Sequence, residues 1–340
     1  MKEKVLGILK ENSARYVSGE HISEALGVSR AAIWKHIKDL KKEGYVIIAS
    51  SKKGYSLVSV PDVLNSYEII YNLKTGIIGS NIIYREEIDS TNNYAKKIAS
   101  EGCKDGTVVV AECQTAGRGR LGRMWDSARN KGIYMSIVLR PEVAPEDVQI
   151  ITIAASIAVA EAIRDITGME AAIKWPNDII LDGKKVCGIL TEMSSEMEKV
   201  NFLVVGIGLN VNHSREDFPE ELANTATSLR IYAEQNSTGT APAELDFRLN
   251  RSSLVKAVLT EMENVYCMVN NGNTDEVVRQ WKEYSVTLGK EVLITSKSAE
   301  YRGFAKDITK DGRLIVDCSD GVTREVMSGE VKVRGLLGYT

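Results

Sequence analysis

Apolar positions recur at helical spacing three times in the first forty residues. Val5, Leu6 and Leu9 mark one helix. Ile22 and Leu26 mark a second that Gly27 ends, and Ile33, Ile37 and Leu40 mark a third that Ser29 caps. After Gly44 the pattern changes: Tyr45-Val46-Ile47-Ile48 and Tyr55-Ser56-Leu57 flank Lys52-Lys53-Gly54, a hairpin with a basic tip. Helix, glycine turn, helix and hairpin together predict a winged helix-turn-helix. Residues 58–66, with Pro61, Asp62, Asn65 and Ser66, read as a linker.

From 67 to 284 the two periodicities alternate. They predict strands at 82–88, 107–112, 132–139, 178–181, 185–193 and 200–211, and helices at 91–100, 145–167, 251–270 and 273–284. There is no clean βαβ rhythm, so the expectation is α+β with a mixed sheet. Ile150 to Ile163 is apolar apart from Thr152, Ser156 and Glu161, which suits a buried helix and is too short to span a bilayer. Residues 232–243 read as a loop. Beyond Ser285, short β runs separated by Asp311-Gly312 and Asp320-Gly321 predict hairpins of a small β-barrel. The 340 residues thus divide into domains at 1–62, 66–284 and 285–340.

Composition narrows the function. Hydrophobic residues at 44% and charged residues at 26% fit a globular chain rather than a disordered or fibrous one. The net charge of −3 is unevenly spread: residues 1–60 hold 11 Lys/Arg against 6 Asp/Glu, which leaves 32 against 40 for the rest. A basic head on an acidic body expects a polyanion at the head alone. The third helix would enter the DNA major groove with Ser29, Arg30, Lys35 and Lys38, while Lys52 and Lys53 meet phosphate. A solvated helical bundle is the plainer alternative. The charges that run from Lys2 to Glu11 argue against a signal peptide. Five scattered cysteines without a Cys-x-x-Cys fit a reducing cytoplasm and argue against a zinc ribbon or a disulfide scaffold. His213 is the one histidine outside the head, so neither a Ser-His-Asp triad nor a multi-histidine metal site is expected in the body.

The sharpest chemical signal is Gly117-Arg118-Gly119-Arg120-Leu121-Gly122-Arg123-Met124-Trp125. Its glycines allow close approach of a ligand, and its arginines give bidentate donors for carboxylate or phosphate. Such a segment is expected to be loose when empty and ordered around an anion. No Gly-Lys-Ser/Thr follows, so it is not a Walker loop, nor is it a dinucleotide fingerprint. A flexible surface loop or an RNA-binding Gly-Arg tract are the other readings.

Five further stretches accompany it: Asp89-Ser90-Thr91-Asn92, Gln114-Thr115, Lys174-Trp175-Pro176-Asn177-Asp178, Lys185 to Leu190, and Gly206-Ile207-Gly208-Leu209-Asn210-Val211-Asn212. In this combination the chain resembles the biotin protein ligases. Its basic head makes it similar to the bifunctional bacterial form that also represses biotin synthesis. The resemblance runs the length of the chain. It implies a class II synthetase-like central domain and an SH3-like terminal barrel. It also implies a reaction in which biotin and ATP, with Mg²⁺, give biotinyl-5′-adenylate, from which a lysine of a biotin carboxyl carrier domain takes the biotinyl group.

By the same resemblance, Ser90, Thr91, Asn92, Gln114, Gly117, Arg118, Arg120, Lys185, Gly188, Leu190 and Gly206 bind biotin. Arg118, Arg120, Arg123, Trp125, Lys174, Asn177, Lys185 and Asn210 bind ATP or the adenylate. Lys185, Arg118 and Asp178 carry the chemistry, Asp178 as base for the incoming lysine. Plainer roles stand beside these: capping for Ser90, Thr91 and Asn92, a core tryptophan for Trp125, a turn at Asn177-Asp178 and strand packing at Gly206 and Gly208. The loop departs from the more basic family pattern at Leu121. Implied partners are the carrier domain, operator DNA and a second copy of the chain, with no membrane and no resident metal. A lipoate–protein ligase and a biotin-sensing regulator without catalysis are the alternatives.

Overall fold

Helical spacing in the head becomes α1 (Lys2–Glu11), α2 (Gly19–Leu26) and α3 (Arg30–Lys42), followed by β1 (Val46–Ser50) and β2 (Gly54–Ser59). The computed structural model describes residues 1–196, 199–237, 247–295, 300–327 and 330–333. The chain divides into two units, Met1–Val63 and Leu64–Thr340. In the first, Ser18 Oγ accepts from His21 N and Ser29 Oγ from Ala32 N, which fixes the starts of α2 and α3. Gly27 ends α2 at φ +63°. Val5, Leu9, Ile22, Ile33, Ile37 and Leu57 fill the core. Gly54 turns the hairpin at φ +97°, where a methyl group would lie 2.1 Å from Val17 O. β2 runs to Ser59, so the connection to the body is shorter than the expected 58–66.

In the second unit α4 (Ser66–Ile70) leads to β3 (Asn81–Ile88), α5 (Thr91–Ser100), β4 (Thr107–Gln114) and β5 (Gly132–Leu139). Next come α6 (Gln149–Thr167), β6 (Ala172–Lys174), β7 (Asp178–Leu181), β8 (Lys184–Glu196) and β9 (Lys199–Asn210). The helices α7 (Leu229–Asn236), α8 (Arg251–Asn270) and α9 (Thr274–Tyr284) follow. Among the described residues the sheet has seven strands in the order β3-β4-β5-β9-β8-β7-β6. β3 and β4 are parallel and the other pairs antiparallel, so the sheet is mixed as expected.

α6 packs on α8 and α9 and meets β6, β7 and β8, which is why it is apolar on all sides. Arg251, fully buried at the start of α8, donates to Glu112 Oε2 of β4 at 2.8 Å and to Gly132 O at 3.2 Å. Glu112 Oε1 accepts from Leu64 N at 3.3 Å, so one buried ion pair ties four segments together: the chain at Leu64, β4, β5 and α8.

The terminal strands β10 (Glu291–Thr295), β11 (Glu300–Ile308), β12 (Leu314–Cys318), β13 (Thr323–Val326) and β14 (Glu330–Val333) form an antiparallel sheet in the order β13-β12-β11-β10-β14. Gly312 and Gly321 turn at φ +90° and +84°, as the two Asp-Gly pairs anticipated. Its apolar side, with Val292, Ile294, Leu314 and Val316, joins the same hydrophobic core as α6.

Two sequence expectations need correction. The helix expected over 145–167 is a 3-10 turn, Pro145–Asp147, and then α6. The loop expected over 232–243 begins as the helix α7. Ser228 Oγ caps α7 by accepting from Ile231 N, and the buried Leu229 and Ile231 hold it despite its polar last turn. Residues 238–243 of that stretch lie outside the described residues. Among the described residues no helix is long and apolar enough to cross a membrane.

Candidate active site

A cleft of about 390 Å³ lies over β8 and β9, roofed by the arginine-rich segment. Its uncharged end is a hydrogen-bond network at the start of α5. Gln114 Oε1 accepts from Thr91 N at 2.8 Å and Thr91 Oγ1 at 3.1 Å, while Gln114 Nε2 donates to Ser127 Oγ at 2.8 Å. Ser136 Oγ lies 2.8 Å from Thr91 Oγ1 and 2.6 Å from Asn92 Oδ1. Ser90, Thr91 and Asn92 are all buried. Ser90 sits at the N-cap of α5 but makes no capping bond with its side chain, so the plain capping role does not hold for it. Gly206 belongs beneath Asn92, because a methyl group there would fall 2.1 Å from Asn92 Oδ1. Leu190 and Gly188 line the same floor.

The middle of the cleft is cationic. Asp182-Gly183 turns between β7 and β8, with Asp182 and Gly183 both at positive φ, and sets Lys185 beside Asp178. Lys185 Nζ is 2.6 Å from Asp178 Oδ1 and 5.5 Å from the centre of the Trp125 ring, and Lys174 Nζ is 3.8 Å from Asp178 Oδ2. Asn177 donates to Ile189 O at 2.6 Å and accepts from Arg120 Nη1 at 2.8 Å. The nearby Cys187 is no nucleophile: burial pushes its thiol well up from the ordinary range.

The arginine-rich segment folds into a narrow hairpin. Gly119 N donates to Arg123 O and Trp125 N to Gly117 O. Gly117 does not line the cleft; a methyl group on it would meet Trp125 O at 2.3 Å, so this glycine shapes the hairpin. Leu121 stands at the tip at φ +57°, 65% exposed, on the rim of the cleft. Arg118 crosses to Asn93 Oδ1 and Glu192 Oε1.

The far end is aromatic. Trp125 lies over Gly208, where a methyl group would approach its ring to 2.5 Å, and its buried Nε1 has no hydrogen-bond partner. Asn210 donates to Thr227 O at 3.1 Å. His213, 3% exposed, stacks on Phe218. Burial holds its imidazole at about 4, below the usual 6.5, against the pull of Asp217 and Asp126.

Apart from Gly117, every body residue anticipated for ligand or catalysis lines this one cleft. Sequence reasoning missed Ser136, Glu192, Asp126, His213 and Lys332. A serine inside the apolar run 132–139 was a readable signal for the first; Lys332 reaches the cleft from the terminal sheet, which no local pattern reveals. Among the described residues no group of three or more His, Cys, Asp or Glu is placed to hold a metal ion. In the head, Arg30, Lys35, Lys38, Lys52 and Lys53 are exposed, and Ser29 is occupied as the cap of α3. The exposed Trp34 lies beside Lys38, 5.3 Å from its Nζ.

Residues 84–210 match the biotin/lipoate A/B protein ligase family, 2–56 an HTH domain and 287–334 the biotin protein ligase C-terminal domain. The bifunctional ligase/repressor BirA of Bacillus spizizenii is 35% identical over 333 residues, 98% of either chain. The chain belongs to the biotin protein ligase family. The Escherichia coli bifunctional ligase/repressor BirA is 29% identical over 95% of this chain and 94% of its own. The biotin protein ligase from Aquifex aeolicus, solved in complex with biotin and ATP, superposes with a TM-score of 0.61. It is 29% identical over 75% of this chain and 99% of its own.

Proposed function

We propose that this ligase activates biotin with ATP and passes the biotinyl group to a lysine of a biotin carboxyl carrier domain, and that its head represses biotin synthesis genes with biotinyl-5′-adenylate as corepressor. One observation carries the reading. A neutral donor–acceptor network, suited to a urea ring, runs directly into a cluster of lysines and arginines suited to a carboxylate and a triphosphate. Relatives whose names state a biotin ligase, among them those of Mycobacterium tuberculosis and Arabidopsis thaliana, favour biotin over lipoate.

In the first step a biotin carboxylate oxygen attacks the α-phosphorus. The bond to the β-phosphate oxygen breaks and pyrophosphate leaves. Both reactants are anions, so bringing them together is work for Lys185, Arg118 and Arg120, with Lys174 and Arg123 on the phosphates. Trp125 offers its face to adenine, beside Asn177 and Asn210. In the second step the carrier lysine attacks the acyl carbon, loses a proton and displaces AMP. Asp178 is our candidate for that proton; its two oxygens face Lys185 and Lys174, which it also holds in place. Mg²⁺, when bound with ATP, would supply charge neutralisation on the triphosphate, beside Lys174 and Arg123.

We assign residues 1–62 to operator DNA, 66–284 to the class II synthetase-like chemistry and 285–340 to an SH3-like barrel that closes the site or docks the carrier. DNA contact falls to Ser29, Arg30, Lys35, Lys38, Lys52 and Lys53. The working form on DNA is a homodimer, and the place of work is the cytoplasm. The test is incubation with labelled biotin, ATP, Mg²⁺ and a carrier domain. Label on the carrier is expected; adenylate without transfer would make the protein a sensor.

A further inference from the structure

Glu192, on β8, is part of neither the sequence motifs nor the cleft wall, yet it joins the two halves of the site. Its Oε1 lies 2.9 Å from Lys96 Nζ and 3.3 Å from Arg118 Nη1, and its Oε2 accepts from Asn92 Nδ2 at 2.8 Å. Asn92 Nδ2 also donates to Leu190 O at 3.3 Å. A carboxylate and a carbonyl both accept, so the Asn92 carboxamide has one possible orientation: amino group toward Glu192 and Leu190, oxygen toward Ser136 and the Gly206 floor. Burial works to raise the Glu192 carboxyl, but hydrogen bonds from Lys96 and Asn92 outweigh it and hold the group below the usual carboxylate range. It therefore stays an acceptor.

We propose that Glu192 is a positioning residue for biotin: it locks Asn92 so that the cleft offers an oxygen to a ligand N–H, and it keeps the Arg118 guanidinium at the cleft until an anionic ligand takes it. Biotin carries both features, two ureido N–H groups and a carboxylate, so one side chain sets the site up for both ends of the substrate. Arg118, 48% exposed at its side chain, is otherwise steadied by Asn93 Oδ1. Without the anion, Asn92 is free to turn over and present its amino group, and Arg118 is free to leave for solvent.

The inference rests on the function proposed above, and one experiment separates the two. Pyrophosphate release by wild-type protein, dependent on biotin, establishes the function. Glu192→Gln keeps the shape and removes the charge. The expected result is a KM for biotin raised on the order of tenfold or more, as for loss of a hydrogen bond to a charged group, with KM for ATP and kcat at saturating biotin unchanged. Glu192→Asp, which keeps the charge one methylene short, is expected to raise the biotin KM less; it carries the test alone should the Gln variant fail to fold. Lys96→Met, which removes one of the donors that keep Glu192 charged but leaves the carboxylate in place, is expected to raise the biotin KM less than Glu192→Gln. A wild-type biotin KM in Glu192→Gln, or an equal loss across biotin KM, ATP KM and kcat, overturns the inference and leaves the ligase reading standing.

Discussion

Lys185 is the residue we propose to meet both anionic reactants. Asp178 is its partner in the cleft, and the ring of Trp125 lies 5.5 Å away. Its ammonium strengthens its hold as charge gathers on the bridging oxygens, so Lys185→Ala should slow adenylate formation on the order of 10²–10³-fold. At 30% side-chain exposure it carries little of the core, and urea unfolding should move far less than turnover. Near-wild-type pyrophosphate release by the variant would remove it from the chemistry. His213 makes a different prediction. Its imidazole is held at about 4 in the folded chain and returns to 6.5 on unfolding. Between those values the unfolded chain binds more protons, so stability is full above pH 6.5 and falls as pH drops toward 4, by on the order of 3 kcal/mol. Urea titrations at pH 7 and 4.5 should show this slope, and His213→Gln should flatten it. An unchanged slope in the variant would assign the acid sensitivity to other groups.

At the level of elements, Trp175 joins the catalytic strands to the terminal sheet. It is buried between β6 and β7, and its Nε1 donates to Gly312 O at 3.0 Å. Gly312 in turn packs so closely on α6 that a methyl group would come within 2.8 Å of Ile153. Trp175→Ala should cost about 3–5 kcal/mol, and Trp175→Phe, which loses the bond but little of the packing, about 1 kcal/mol. Equal losses from the two variants in urea unfolding would mean that the bond, not the packing, matters. The turns of this sheet were legible because Asp-Gly has few other uses; α7 was not, because its buried Leu229 and Ile231 sit before a polar run that looks like a loop.

For the whole molecule the head and the body have separate cores, so deleting residues 1–63 should leave a folded ligase without operator binding. Retained operator binding would exclude the helix-turn-helix from DNA contact. A single winged head binds DNA mostly through phosphate, hence weakly at physiological salt; two heads on a dimer gain through effective concentration. On the proposed reading, biotinyl-5′-adenylate would neutralise the arginines of the Gly117–Trp125 hairpin and fix it, and a fixed hairpin can complete a face between two copies. We therefore expect sedimentation to show more dimer, and operator binding to tighten, from free to biotin-bound to adenylate-bound protein at constant salt. Equal dimerisation and DNA affinity in all three states would uncouple the ligase from the repressor.

Local pattern settled the winged head, the strands of the mixed sheet and most of the side chains at the cleft. Helical and strand periods, capping serines and Asp-Gly turns act over a few residues and are written in order along the chain. The cleft residues were legible because their motifs are contiguous and because glycine, arginine and lysine in that spacing have little other use. Tertiary structure alone decided the rest. Ser136, Glu192 and Lys332 come to the site from separate strands, and Gly117 leaves the cleft wall because its hairpin needs it. The orientation of Asn92 depends on acceptors nearly a hundred residues away, at Leu190 and Glu192. A hydrogen bond is made in space, and its partners carry no mark in sequence until the sheet brings them within 3 Å of each other.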